Sequence, residues 1–166
     1  MLLRRRATNR LFNVTGAARD PAQPVATAIE TALTLLFYNI SGTNDLIETA
    51  GGLVYDNQSV WYGTRRHWLL NLLVERAEAE EVGLQYLRDY YEPTGDLEIP
   101  LVTAHNLLDP AVPFEHENIY AARVASKGKE DLLAVFPVEG YGHCNFTTDQ
   151  IQLAFGQLVA MATPNP

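Results

Sequence analysis

Two short apolar runs, Ile99 to Ala104 and Leu132 to Val138, constrain this chain more than any other feature. Each has the length of a strand rather than a helix, and glycines stand around them: Gly95 ahead of the first, Gly140 and Gly142 after the second. Between them, Glu115 to Ser126 reads as a helix with Ile119, Tyr120, Ala122 and Val124 among its apolar residues. Lys127-Gly128-Lys129 ends it, glycine being the usual residue just past a helix C-terminus. A last helix starts at Thr147, where Gln150 completes a capping box, with Ile151, Ala154, Phe155, Leu158, Val159 and Ala162 as its apolar face. The order is strand, helix, strand, helix. Neither strand alternates strongly, so both are expected to be parallel and buried on both faces beneath helices, joined by a right-handed crossover. Pro137 belongs near the end of its strand, because proline cannot donate to the ladder. Two strands do not make a stable sheet by themselves, so the pattern implies a partial α/β fold.

The preceding region has a different character, with a seam near Pro93-Thr94-Gly95. Val25, Ile29, Ala32, Leu33, Leu36 and Phe37 recur at the spacing of one helix face, with Pro24 as a helix start. Ser41-Gly42 breaks that pattern, a short helix follows over Asn44 to Thr49, and Gly51-Gly52 stops it. Val54 to Gly63 reads as a loop, and helices are expected over about 65–75 and 77–91. The second of these carries Val82, Tyr86 and Leu87 on one side, with Glu78, Glu81, Arg88 and Asp89 largely on the other. Three regions result: an irregular or disordered basic N-terminus over 1–20, a mainly helical region over 21–93, and an α/β region over 94–166.

Charge and composition remove several function classes. With 166 residues and 47% hydrophobic content, a single domain with a packed core is the natural expectation. A formal charge of -8 opposes binding to a nucleic-acid backbone. The N-terminal arginines, Arg4, Arg5, Arg6, Arg10 and Arg19, are unaccompanied by acids. They admit a transit-peptide reading, set against a truncated start with Met1 inside a longer reading frame. No apolar signal region follows them, and no run is long enough to span a membrane, so the chain is expected to be soluble with its compartment left open. Cys144 is the single cysteine, so no internal disulfide forms. The sequons at Asn13, Asn39, Asn57 and Asn145 read as chance occurrences.

The chemistry lies after the two apolar runs. Asp109 sits in Leu-Leu-Asp-Pro-Ala-Val-Pro and His143 in Gly-Tyr-Gly-His-Cys. Loops that follow consecutive parallel strands leave the same end of a sheet, and a carboxylate there can hold a histidine in the tautomer a general base needs. The run from Ile99 to Pro113, with His143 before a capped last helix, resembles the C-terminal part of an α/β-hydrolase, most similar to esterase and prolyl-oligopeptidase-like members. The resemblance covers about residues 95–160 and is suggestive over 25–92. It implies that Asp109 is the triad acid, His143 the triad base, and the helical first region a cap inserted before the acid-bearing strand. It also implies a small-molecule ester or peptide as substrate of the intact enzyme.

The departures are as informative. No Gly-x-Ser-x-Gly occurs, and none of Ser41, Ser59 and Ser126 lies on a strand-to-helix elbow. Cys144 adjoins His143, a poor geometry for a cysteine–histidine dyad, and reads as a packed thiol. His105 reads as a strand-end packing residue, and His67 and His116 as surface or packing residues. No zinc spacing and no phosphate loop are present, so no metal and no cofactor are expected. Trp61, Tyr62, Trp68, Tyr90 and Tyr91 either line an apolar pocket or pack helices together. The leading reading is a fragment of a serine hydrolase that supplies acid and base, lacks the nucleophile and is inactive alone; in a variant of it a second polypeptide supplies the front half. The other is a non-catalytic binding or oligomerisation module derived from a hydrolase, whose open sheet edge pairs with another chain.

Overall fold

The computed structural model describes residues 5–163. Its elements are α1 (Arg5–Thr15), α2 (Pro24–Phe37), α3 (Thr43–Ala50), α4 (Trp68–Leu73), α5 (Glu81–Tyr90), β1 (Leu101–Leu108), α6 (Glu115–Ser126), β2 (Leu133–Tyr141) and α7 (Thr148–Ala162). The chain is mixed α/β, with a two-stranded parallel sheet. It divides into two compact units: one runs up to Ala17 and from Ala28 to Glu92, the other holds Ala18–Thr27 and the chain from Pro93 onward.

In the first unit, several expectations from the sequence are revised. The basic start is helical over Arg5–Thr15 rather than irregular, and the reading of residues 1–4 lies outside the described residues. Thr8 and Phe12, one turn apart, are buried while Arg5, Arg6 and Arg10 stay in solvent, so a narrow stripe suffices to hold the helix. Ser41-Gly42 does not break the chain. Helical backbone continues through a π-helical turn, Tyr38–Gly42, directly into α3. Gly51, left-handed at φ 73°, ends α3 as expected.

Helix α5 begins at Glu81, four residues later than the periodicity suggests, because the backbone before it is bonded sideways. The Ala77 N–H donates to Asn57 Oδ1, the Asn57 N–H to the Ala77 carbonyl, and the Glu80 N–H to the Leu53 carbonyl. Arg76 caps the carbonyls of Asn57, Val60 and Asn71, and the buried Asn71 amide donates to Tyr62 and His67 carbonyls. This polar lattice, not a helix face, orders residues 53–62 and 74–80 on either side of α4. The expected apolar face of α2 is also misplaced. Ala28 and Thr31 are buried, whereas Ile29, Leu33, Leu36 and Phe37 are exposed. Trp61, Trp68, Tyr90 and Tyr91 are each more than half exposed and do not form a packed core.

In the second unit, β1 and β2 pair in parallel from Leu101↔Leu133 to Asn106↔Val138. Strand β1 starts after Pro100, two residues beyond the expected onset, and extends four residues past Ala104. Pro137 lies in the middle of β2, opposite His105, rather than near its end. A two-stranded sheet has only edge strands, and proline is tolerated there when its nitrogen faces away from the ladder. Most strand residues are half-buried instead of buried on both faces, since only one strand flanks each. Helix α6 presents Glu117, Tyr120, Ala121 and Val124 inward, at i, i+3, i+4 and i+7, and Val124 is fully buried. Helix α7 begins at the Thr147–Gln150 capping box and packs on β1, but Ile151, Leu153, Phe155 and Val159 remain exposed. Among the described residues no helix is long and apolar enough to cross a membrane.

Gly95 is the tightest joint in this unit. Its φ of +74° disfavours any side chain, and a Cβ there would lie 2.6 Å from the Arg123 carbonyl carbon and 2.7 Å from the Val124 nitrogen. Neither neighbour is a flexible tip, since both belong to the backbone of α6. Gly95→Ala is therefore expected to destabilise the chain by about 3 kcal/mol, read as a lowered urea midpoint. An unchanged midpoint would show that α6 can retreat from this turn.

Candidate functional site

The two residues singled out from the sequence meet at the C-terminal end of the sheet. Asp109 follows β1 directly, and its carboxylate is almost fully buried. Its Oδ1 accepts the backbone N–H groups of Ala111 at 2.7 Å and Val112 at 2.9 Å, which closes the Asp-Pro turn on itself. Its Oδ2 lies 2.8 Å from His143 Nδ1. An ionised carboxylate can only accept, so the His143 Nδ1–H is the donor, and in the neutral ring Nε2 is the lone-pair nitrogen. Among the described residues Nε2 has no hydrogen-bond partner, and the side chain is 49% exposed.

The electrostatics of Asp109 follow from competing terms. Burial pushes its carboxyl up, but the Val112 N–H, the His143 ring, the Ala111 N–H and the positive charge His143 can carry together outweigh burial. They hold it below the ordinary carboxylate range. Asp109 is thus built to remain ionised while nearly out of water.

Loop geometry presents His143. The register slips between Asn106 and Leu108, where Leu108 pairs with Tyr141, so β2 carries one extra residue there. Bulges of this kind re-aim a strand end. Gly142 follows with φ 134°, and a Cβ on it would sit 2.7 Å from Asn145 Cβ. Only glycine admits this turn one residue ahead of His143. Cys144 takes a left-handed φ of 53° and is exposed rather than packed. The Tyr141 hydroxyl donates to the Thr27 carbonyl, anchoring the strand's last residue.

Two further residues support the pair, one with no expected role and one expected only to pack. Asn106, in β1 and almost fully buried, accepts the Asn145 N–H at 2.8 Å and donates to the Asn145 carbonyl at 3.2 Å. It works as a backbone mimic that fastens the His143 loop to the strand bearing Asp109. Asn106→Ala leaves both Asn145 groups unmatched and is expected to cost about 2 kcal/mol. Faster amide hydrogen exchange across residues 142–147 than elsewhere would accompany it, and uniform exchange would contradict the fastening role. His105 is the other. It is not a plain packing residue: Nε2 donates to the Val112 carbonyl at 3.0 Å, Nδ1 faces Glu117 Oε1 at 3.2 Å, and Nε2 lies 3.5 Å from Asp109 Oδ2. Strand parity signals this in hindsight, because residues 105, 107 and 109 fall on one face of an extended chain.

The remaining histidines lie outside this cluster. His67 Nδ1 accepts the Thr64 N–H in a local cap, and His116 is exposed in the first turn of α6. Ser126, the serine in the same compact unit, donates its hydroxyl to the Arg123 carbonyl. Among the described residues no group of three or more His, Cys, Asp and Glu side chains has a geometry that could hold a metal ion.

Comparisons with known proteins add one partial likeness. No family model matches the chain, and no solved structure matches it. Over 75 residues, 42% of this chain, it is 29% identical to a protein named o-phthalyl amidase from Xanthobacter agilis. The aligned stretch spans 17% of that protein's length. The likeness is to a hydrolase, and it extends no further than hydrolase-like.

Proposed function

We propose that this chain is the acid- and base-bearing part of a serine hydrolase acting on ester or amide bonds. Asp109 is the triad acid and His143 the triad base, and the nucleophilic serine and oxyanion hole come from residues outside these 166. The observation that carries the reading is the 2.8 Å contact between His143 Nδ1 and a nearly buried Asp109 Oδ2. It leaves Nε2 unpartnered and accessible, which is the state a general base requires. The partial likeness to an amidase supports the reaction class.

In the reaction, His143 Nε2 takes the proton of the serine hydroxyl as it attacks the carbonyl carbon. The tetrahedral intermediate collapses when the same nitrogen returns the proton to the leaving amine or alcohol. Water then repeats both steps on the acyl-enzyme. Asp109 holds the Nδ1–H tautomer and stabilises the imidazolium, and its depressed pKa keeps it from taking the proton itself. On this reading the helical region before Pro93 is a cap, and the substrate is a small-molecule ester or a peptide.

Co-expression with the upstream reading frame, followed by an ester and amide hydrolysis assay, tests the proposal. Activity that appears only with both polypeptides and vanishes in His143→Ala is the expected result. Activity indifferent to His143 would overturn it.

A second reading is favoured by one observation. Among the described residues each strand pairs with one other strand only, and α7 leaves Ile151, Phe155 and Val159 exposed. Such surface suits strand pairing in a non-catalytic binding module or a homo-oligomer. A monodisperse oligomer that folds cooperatively and gains no activity from any upstream polypeptide would favour it.

A further inference from the structure

The hydrogen-bonded chain around Asp109 does not end at His143. Beginning on α6, Glu117 Oε2 accepts the Thr103 hydroxyl at 2.7 Å, and its Oε1 faces His105 Nδ1 at 3.2 Å. His105 then reaches the Asp109 turn twice, donating to the Val112 carbonyl at 3.0 Å and lying 3.5 Å from Asp109 Oδ2. Val112 is therefore gripped from both sides: its N–H goes to Asp109 and its carbonyl to His105. Phe114 stacks edge-on against the His105 ring, with centroids 5.6 Å apart, which limits the ring's tilt. The Val112 carbonyl can only accept, so it fixes a proton on His105 Nε2, and both ring nitrogens face acceptors.

We propose that His105 is a positioning residue for the Asp109–His143 pair, held in place by Glu117. Resting on the triad reading, it adds a role for two side chains that touch neither His143 nor a substrate. The physical argument concerns which freedom is left. Asp109 sits on a tight turn beyond the end of β1, and its own two backbone contacts are local to that turn. They fix the carboxylate relative to residues 111 and 112 but not relative to the sheet. The His105–Val112 bond is the contact that ties the turn back to β1. The Glu117–Thr103 and Glu117–His105 contacts tie the same strand to α6. With the turn anchored, Oδ2 stays aimed at His143 Nδ1. Without it, the turn can rotate as a unit while keeping its internal bonds, and the tautomer of His143 is no longer enforced. The titratable groups facing this cluster are Asp109 and His105 from β1 and its turn, Glu117 from α6, and His143 from the loop after β2.

Nitrogen-15 spectra of the histidine side chains in the intact 166-residue chain test this without any turnover. The wild type is expected to show His143 as a single Nδ1–H tautomer, with a low-field, slowly exchanging ring proton. In His105→Ala and Glu117→Ala that proton broadens or disappears and both tautomers of His143 become populated, while the backbone amide spectrum of the other elements persists. His105→Gln, whose amide nitrogen reaches the position of Nε2, retains the signal. An unaltered His143 signature in both alanine variants overturns the proposal. So does collapse of the whole amide spectrum in both, which would make the cluster a stability element only. A wild type that lacks the Nδ1–H signature removes the pairing itself. Failure of the hydrolysis assay alone touches the triad reading and leaves this coupling intact.

Discussion

A serine-directed fluorophosphonate is expected to leave the isolated chain unlabelled, and an ester assay of the same material to read background. On the proposed reading, the reason is the absence of a nucleophile rather than a damaged base. His143 and Asp109 are in contact, but no strand-to-helix elbow carries Ser41, Ser59 or Ser126, and the Ser126 hydroxyl donates to the Arg123 carbonyl at the end of α6. Removing one essential member of a serine hydrolase triad lowers turnover by about a millionfold, so the remaining two members have no visible activity by themselves. The converse is the larger effect. When a serine-bearing polypeptide is supplied, activity should rise from background, and His143→Ala should return it there. Asp109→Asn should lose on the order of ten thousandfold, because an amide offers His143 the wrong hydrogen-bonding partner. Stoichiometric labelling of the isolated chain would sink the proposal, since it would place a reactive serine where neither sequence nor fold offers one.

The second large effect is on stability in acid. Asp109 titrates below the ordinary carboxylate range when folded, because its hydrogen bonds outweigh its burial. A carboxylate with a depressed folded pKa contributes stability that is fully present above its unfolded pKa, near 3.9, and lost as pH falls through the folded value. Asp109→Asn is accordingly expected to be less stable than the wild type by about 2 kcal/mol at neutral pH, the scale of hydrogen bonds to a charged group. The gap should close as the pH drops below about 4. Urea titrations of both proteins between about pH 5 and pH 2 would read this directly. A gap that stays constant through the acid range would mean that the ionised form of Asp109 is not what the Ala111, Val112 and His143 contacts stabilise.

The same residues mark the boundary between what a linear reading can reach and what it cannot. The end of α6 and the start of α7 were legible, because glycine punctuation past Ser126 and the Thr147–Gln150 capping box are local signals carried by neighbours in sequence. The pairing of Asp109 with His143 was legible for a related reason: strand ends in a parallel sheet converge, whatever the details of the side chains. Burial was not legible. The apolar stripe of α2 and that of α7 satisfy helical periodicity and yet lie largely in solvent, because periodicity says which residues share a face and not whether anything covers it. Residues 74–80 have helical composition but lie in irregular backbone, because Asn57 and Leu53 take their hydrogen bonds. That competition is between segments some twenty residues apart, and no local propensity records it.

By itself, then, the sequence determined the α/β class, the parallel order of two strands, the ends of the later helices, and the acid and histidine that follow those strands. These rest on short-range stereochemistry and on strand direction. The tertiary structure alone decided that Asn106 fastens the His143 loop and that His105, facing Glu117 of α6, bonds the Asp109 turn. It also decided that Nε2 of His143 has no hydrogen-bond partner among the described residues, on a half-exposed side chain. Each of those depends on the distance between atoms on different elements, and only the packing of α6 and the β2 loop against β1 sets that distance.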